Sequence, residues 1–471
     1  MPFIPKNNPK ITIVGAGGYE FPIRLINDIL SYDSMSEVEL CLMDVSLTRA
    51  ARTEKLAKKL IKKHRPGAKV WRTKNLDEAF EGCDFGIICF QVGGIEAYRQ
   101  DKEIAAKHGV DLPVGDTLNS GGVFRGLRSL GAMQEIAAAI HTHCPDALIL
   151  NYANPMAINC WGLSNMGVNV VGLCHSVQAI PWLFGMPLDI PSDEIDFQSF
   201  GINHQAWVTE AYHKGEDIYP AYREAMFKKY PSPLEVNAKT GSISTKGLKI
   251  AFDHGGHYHY EMVRTEIMRT FGYFHTESSH HGSEYTPWFR KNKKTVKAYI
   301  KKRWDYYEMC LAHDATAQER WTEDQVEKEK LEASGEYGSH IINAILTNTP
   351  YKFFGNVPNW GKLGDRGDND STLISNLPQN ACVEVACFAD RYGIHPSAPG
   401  ALPAQCAAIN RTNINVQSLT VEASETGDPQ MIEMAIAMDP LTGALLTLPA
   451  IRALTADMLK ANKKWLPQFE L

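Results

Sequence analysis

No stretch of this chain holds enough uninterrupted apolar residues to span a bilayer, and the opening residues, from Met1 to Lys6, contain no apolar core of a secretory leader. Membrane insertion and export are not expected, and a cytoplasmic location is. A basic excess is missing as well: 48 Lys and Arg stand against 54 Asp and Glu, a net charge of −6 with the signs interspersed. Without a positive field the chain is a poor partner for nucleic acid or for an anionic membrane. The ten cysteines form no tandem CxxC framework, which removes a disulfide scaffold and agrees with reduced thiols. Internal repeats and low-complexity segments are also lacking.

What is present is a globular composition of 471 residues, 44% of them apolar, enough to fill two packed cores. Alternating strand and helix signals run to about residue 190 and then become mixed, with the changeover at residues 193–197. We expect an α/β protein with a Rossmann-type parallel sheet over 1–190 and a mixed α/β (α+β) domain over 191–471, the whole being lactate/malate-dehydrogenase-like. Residues 10–14 read as an apolar strand that runs into Gly15-Ala16-Gly17-Gly18, and residues 22–30 as a helix with Ile23, Ile26 and Leu30 on one face. Gly15 permits a tight turn, Gly17 lets the backbone approach a pyrophosphate, and the first N–H groups of the helix point at the anion. Glu20 stands where the third glycine of the fingerprint would be. A second strand, residues 38–43, ends at Asp44, whose carboxylate suits the ribose hydroxyls of NAD and repels the 2′-phosphate of NADP. Strands at 85–90 and 147–150 open into Gln91-Val92-Gly93-Gly94 and Asn151-Tyr152-Ala153-Asn154-Pro155, polar segments at the strand ends where such sheets bind ligands.

Downstream, Cys174-His175-Ser176-Val177 and Gly201-Ile202-Asn203-His204 put a soft thiolate donor and an imidazole after the dinucleotide unit. Each also has an ordinary reading, as a buried strand-end cysteine and a hydrogen-bonded loop histidine. The helix from Gly121, with Val123, Leu127, Leu130, Met133, Ile136 and Ile140 at helical spacing, reads as core packing. Residues 293–331 read as a charged, solvated pair of helices, and Gly361 to Ser371 as an exposed loop. His254, His257 and His259 invite a second metal site, although a polar loop is the safer reading. Residues 432–464 read as apolar helical turns broken by Pro440 and Pro449, without visible chemistry.

With these motifs in view the whole chain resembles glycoside hydrolase family 4, the NAD- and divalent-metal-dependent glycosidases. The resemblance rests on the glycine turn, Gln91-Val92-Gly93-Gly94, Gly115-Asp116-Thr117, Asn151-Tyr152-Ala153-Asn154-Pro155-Met156, Gly172-Leu173-Cys174-His175-Ser176-Val177, Gly201-Ile202-Asn203-His204, Thr276-Glu277-Ser278-Ser279, Glu284-Tyr285-Thr286-Pro287-Trp288-Phe289 and Asn376-Leu377-Pro378. Cys-His-Ser-Val is similar to the α-galactosidase branch, as are Val383-Glu384-Val385-Ala386-Cys387 and Thr412-Asn413-Ile414-Asn415-Val416.

The resemblance implies hydrolysis of α-galactosides without the usual carboxylate pair. NAD+ accepts a hydride from C3, a base removes the acidified C2 proton, the C1 oxygen leaves, water adds, and the hydride returns with retained configuration. Cys174 and His204 would hold the metal, Mn2+ by family analogy, although a mixed S/N/O site equally suits other transition metals. Tyr285 corresponds to the base, a phenol of unperturbed pKa about 10 that needs a nearby cation. His175 stands where phospho-sugar relatives have an aspartate, and either delivers a proton to the leaving oxygen or binds a sugar hydroxyl. Asp116 is a second acid, a binder of cofactor or sugar, or only a turn residue. Asn154, Asn203 and Arg264 would bind substrate, while Gly15, Gly17, Gly18, Asp44 and Gln91 would bind NAD+; the Asn154-Pro155 bond is a candidate cis peptide. His280 and His281 either touch sugar or lie at the surface.

Where relatives read Asp-Thr-x-Gly-Pro-Gly-Gly this chain reads Asp116-Thr117-Leu118-Asn119-Ser120-Gly121-Gly122, a swap able to reshape substrate choice. Phospho-glycosidases of the family carry an arginine at the position of Gln91, so a 6-phosphosugar is disfavoured. An α-galacturonide or α-glucoside substrate remains an alternative, the former needing a cation among Arg99, Arg125, Arg128, Arg264 and Arg290. A different class, an NAD-dependent sugar or hydroxy-acid dehydrogenase, would accumulate NADH, and a non-catalytic NAD sensor would need none of the convergent residues. The partners expected are a small α-glycoside and a second copy or three of the chain, a homodimer or homotetramer.

Overall fold

The computed structural model describes residues 8–19, 21–233, 235–236, 243–244, 260–300, 305–312, 322–328, 330–360 and 372–470. The strands are β1 (Lys10–Val14), β2 (Glu39–Met43), β3 (Lys69–Thr73), β4 (Phe85–Ile88), β5 (Leu148–Asn151), β6 (Val170–Leu173), β7 (Ile195–Ile202), β8 (Gln205–His213), β9 (Glu216–Asp217), β10 (Glu235–Val236), β11 (Ile243–Ser244), β12 (Phe274–His275), β13 (Tyr351–Pro358), β14 (Cys382–Asp390) and β15 (Gly393–Pro396). β1, β4, β5 and β6 are runs of apolar and β-branched residues buried along nearly their whole length, as parallel strands covered on both faces must be. They pair in the order β3-β2-β1-β4-β5-β6, all parallel, which is the dinucleotide-fold order with its reversal between β1 and β4.

The sheet does not stop there. β13 adds antiparallel to β6, with Gly355 opposite Leu173 and Asn356 opposite Gly172, and β14, β7, β8 and β12 follow in that order. One thirteen-stranded sheet, carrying β9 and β15 on side branches, thus contains the strands of both halves except the small β10–β11 pair. The first antiparallel strand begins at Ile195, inside the changeover read from the sequence.

The helix Phe21–Ser31 follows the glycine turn and buries Ile23, Ile26 and Leu30. The long helix runs Asn119–His143, two residues earlier than Gly121, and is buried through its first three turns. Residues 293–331 were expected to hold two helices. The described part holds three short ones, Lys293–Tyr299, residues 306–312 and Glu323–Lys328. The C-terminal prolines initiate helices and do not break them: Pro429–Met438, Pro440–Leu445 and Leu448–Asn462 each carry proline in the first two positions, where its missing N–H costs nothing. All ten cysteines are free. Among the described residues no helix is long and apolar enough to cross a membrane. His254, His257, His259 and the Gly361 to Ser371 loop lie outside the described residues.

Candidate active site

The glycine turn takes the shape the fingerprint requires. Gly15 has φ +94°, and a Cβ there would meet the Cys89 carbonyl carbon at 2.9 Å. At Gly17 a Cβ would fall 2.6 Å from Arg49 Cβ and 2.8 Å from Asp44 Oδ2. Gly18 donates its N–H to the Gly15 carbonyl at 3.0 Å and closes the turn. Asp44 caps the end of β2, its Oδ2 accepting from Gly17 N and its Oδ1 from Ser46 N, each at 2.8 Å. Gln91 sits across the switch point on the loop after β4 and donates to the Gly94 carbonyl at 3.0 Å. Glu20 is outside the described residues. Gly17→Ala is expected to weaken NAD+ about tenfold to 100-fold, the overpacking cost of an added methyl, measurable by titrating protein fluorescence.

The polar strand ends converge on a second group. His204 occupies the two-residue turn between β7 and β8 with φ +62°, a left-handed conformation that turns its ring into the interior. Its Nδ1 is 2.8 Å from the Tyr285 hydroxyl and 3.2 Å from Thr117 Oγ1, and its Nε2 is 3.5 Å from Glu277 Oε2. The Tyr285 hydroxyl is equally 2.8 Å from His281 Nε2, which in turn lies 3.2 Å from Asp116 Oδ1. Asp116 Oδ2 accepts from Asn154 Nδ2 at 3.0 Å, and the Asn154-Pro155 peptide is cis. Cys174, at the end of β6, is the neighbour whose thiolate charge and hydrogen bond act on His204.

The electrostatics of this group are mutually dependent. Burial pushes the Cys174 thiol up, but the His204 charge and hydrogen bond outweigh it and bring it down to about 6. Burial pulls His204 down, while Cys174 and Glu277 carry it up to about 9. His281 is likewise disfavoured by burial yet held well above its ordinary value by Asp116 and Glu277. Both carboxylates, Asp116 buried and Glu277 partly so, are held well below the usual range, Asp116 chiefly by His281 and Glu277 chiefly by His204. Burial and the Asp116 and Glu277 charges raise the Tyr285 phenol. Behind the group Glu384, fully buried on β14, is pushed up to about 8 by burial and the Cys174 charge, with the Asn356 and Asn203 amides pulling the other way.

Ligand atoms of His204, Glu277 and His281 lie within 4.8 Å of one another. With the Cys174 thiolate beside His204, the donors combine S, N and O, a set that fits a divalent transition ion. Glu277 offers a carboxylate beside the expected Cys174 and His204 pair, and His281, held charged by Asp116 and Glu277, stands next to it. Their signal was in the sequence, because Glu277, His281 and Tyr285 recur at intervals of four, which brings side chains to one side of a helical turn.

Other expected residues are placed differently. His175 is half-exposed, shares a hydrogen bond of 2.8 Å with Glu336, and lies parallel to Phe21 at 6.1 Å, beside the helix that follows the glycine turn. The Glu336 bond raises its pKa. Arg264 does not offer itself to a ligand: it is buried, its Nε and Nη2 bond Glu261, and its Nη1 donates to the Thr276 and His275 carbonyls at 3.0 and 3.3 Å. It braces the segment that carries Glu277. Arg99, Arg128 and Arg290 pair with Glu103, Asp101 and Asp111. Arg125 donates through Nε to the Asn154 carbonyl at 3.1 Å, and its buried Nη1 has no hydrogen-bond partner among the described residues.

The model of the family 4 glycosyl hydrolases matches residues 10–184, and that of the family 4 glycosyl hydrolase C-terminal domain matches residues 199–442. The chain belongs to glycosyl hydrolase family 4. Among family 4 relatives, it is 34% identical to an alpha-galactosidase of Bacillus subtilis (strain 168), over 98% of this chain and 100% of that protein. It is 33% identical to an alpha-galactosidase of Rhizobium meliloti (strain 1021), over 98% and 89%. An alpha-galacturonidase of Thermoanaerobacterium saccharolyticum is 25% identical over 98% and 97%. A 6-phospho-alpha-glucosidase from gut microorganisms, solved with NAD and Mn2+, has the same fold, with a TM-score of 0.75, 20% identity and coverage of 98% and 100%. A lactate dehydrogenase from Eimeria maxima aligns with a TM-score of 0.50 and 12% identity over 90% and 97%, in line with the expected dehydrogenase-like architecture of this family 4 chain.

Proposed function

We propose that this chain hydrolyses α-galactosides by reversible oxidation, elimination, addition and reduction with retained configuration, residues 1–190 forming the NAD-binding domain, which also lends Asp116, Asn154, Cys174 and His175, and 191–471 the substrate and metal domain. The observation that carries the reading is the Tyr285 hydroxyl set between His204 and His281, 2.8 Å from each, in a chain whose first strand runs into a glycine turn suited to a dinucleotide. NAD+ on the turn of Gly15, Gly17, Gly18 and Asp44 would supply a temporary hydride acceptor for C3, and a divalent ion such as Mn2+ on Cys174 and His204 a Lewis acid for O2 and O3. Tyr285 removes the C2 proton, and the charged His281 ring, 2.8 Å from the phenol oxygen, stabilises the phenolate that acts as the base. Asn154 and Asn203 bind sugar hydroxyls. Asp116 keeps His281 charged and Asn154 oriented. His175, half-exposed and tied to Glu336, donates to the leaving oxygen or to a peripheral hydroxyl.

Identity to two alpha-galactosidases over nearly the whole chain supports the galactoside. Gln91, already bonded to Gly94, brings no charge for a 6-phosphate. One observation favours an α-galacturonide as the second reading, the Arg125 Nη1 that has no hydrogen-bond partner among the described residues, although Asp116 nearby already balances that charge.

The test is release of nitrophenol from 4-nitrophenyl α-galactoside by metal-stripped protein, with and without NAD+, Mn2+ and reductant. Cleavage is expected only with all three, without net NADH. Absence of cleavage under every condition overturns the galactoside and directs the assay to the galacturonide; accumulation of NADH identifies a dehydrogenase.

A further inference from the structure

Two buried carboxylates outside the group of expected site residues hold the loop that carries Asp116 and Thr117. Glu284 is fully buried, and both of its oxygens accept from the main chain, Oε1 from Val114 N at 2.8 Å and Oε2 from Gly115 N at 2.9 Å. Asp439, 1% exposed, accepts from Asn119 N at 3.1 Å through Oδ1 and from Thr442 N at 2.7 Å through Oδ2. The loop is therefore fastened at its start to the residue beside Tyr285 and at its end to the cap of the helix Pro440–Leu445.

Between those fastenings the loop has little freedom. A Cβ on Gly122 would come within 2.4 Å of the Thr117 carbonyl carbon, so the loop lies directly on the first turn of the long helix. Asn119, where relatives carry glycine, adopts φ +57° and accepts from Gly121 N at 3.2 Å, so the swap preserves the backbone path. The Asp116 carboxylate and the Thr117 hydroxyl then reach Asn154 at 3.0 Å and His204 at 3.2 Å.

We propose that Glu284 and Asp439 are positioning residues that set Asp116 and Thr117 against His281, His204 and Tyr285, a reading that rests on the reaction centre proposed above. Their hydrogen bonds go to main-chain N–H groups, and Glu284 Oε2 also lies 4.0 Å from His281 Nε2. Each spends both carboxylate oxygens on N–H donors, bonds strengthened by its charge. A carboxamide of the same shape presents an NH2 group to one of those donors and releases that end of the loop.

Glu284→Gln and Asp439→Asn in the NAD+- and Mn2+-loaded protein test this. The expected kcat for 4-nitrophenyl α-galactoside falls about 100-fold for the first and about tenfold for the second, the range in which misplacement of about 1 Å acts. NAD+ affinity stays within about twofold, because the glycine turn is untouched. Amide exchange accelerates in peptides covering 112–122 and not in β1 or β4. Leu60→Ala, in the separate apolar cluster and on the helix Leu47–His64, serves as a comparison of similar stability loss and leaves both kcat and exchange over 112–122 near wild type. Should Glu284→Gln fail to fold, Glu284→Asp, which keeps the charge and retracts it by one methylene, gives the same local exchange signature. Unchanged exchange over 112–122, or kcat within threefold of wild type in the folded variants, overturns the proposal. The exchange measurement needs no turnover, so a wild-type protein inactive on the galactoside would sink the substrate assignment and leave the positioning role to be judged on exchange.

Discussion

Tyr285→Phe is expected to lower kcat on the α-galactoside by about 100- to 10,000-fold, the span of a lost general base, with little change in KM. The ring itself packs in an apolar cluster with Val123, Phe124 and Leu127, and phenylalanine keeps that packing. Only the hydroxyl between the two imidazoles is removed. His204 retains Thr117 at 3.2 Å and His281 retains Asp116 at 3.2 Å, so neither ring is left without a partner. Burial and two carboxylates hold the phenol above its ordinary value, so in the metal-free protein it keeps its proton. The charge that brings it into range must come from His281 and from the metal. Wild-type enzyme should exchange the C2 hydrogen of recovered substrate with D2O, and Tyr285→Phe should not; exchange at the wild-type rate would remove Tyr285 from the role of base.

Metal affinity should depend steeply on pH. Binding uses the Cys174 thiolate and the unprotonated His204, and the pair titrates at about 6 and about 9, values that belong to the two groups together. Above about 9 no proton is displaced and affinity is level. Between the two values the thiolate is already present and one proton, on His204, must leave, so affinity for Mn2+ rises about tenfold per pH unit. Below about 6 a second proton competes and the slope doubles. Isothermal titration from pH 6.5 to 8.5 should therefore span about 100-fold in Kd. Cys174→Ser removes both the soft donor and the thiolate that raises His204. Its affinity should fall at all pH values, and the slope below neutrality should revert to that of a single ordinary imidazole.

Much of the cofactor site could be read directly because its determinants are local. The strand at 10–14, the glycines after it and Asp44 lie within one strand-helix-strand unit, where periodicity and turn chemistry act over short separations. Cys174, His204 and Tyr285 were legible as motifs, and Glu277 with His281 as a spacing. Glu284 and Asp439 were not, for a physical reason. Their partners on the loop are main-chain N–H groups 170 and 320 residues away, which have no side-chain signature. Arg264 attracted attention as a free cation, yet Glu261 one turn earlier neutralises it. The attachment of β13 to β6 was equally hidden, since antiparallel partners separated by so much chain leave no mark on local alternation.

That attachment has a mechanical consequence. With the Gly355–Leu173 and Asn356–Gly172 pairs, and Glu384–Gly201 further along, joining the dinucleotide strands to those that bear His204, the two halves share one continuous sheet. Bending it would break ladder hydrogen bonds in its middle, next to Cys174 at the end of β6. On the proposed mechanism a sugar would then be admitted by side chains and loops at the rim, while the sheet holds Cys174, His204 and the glycine turn in fixed relation.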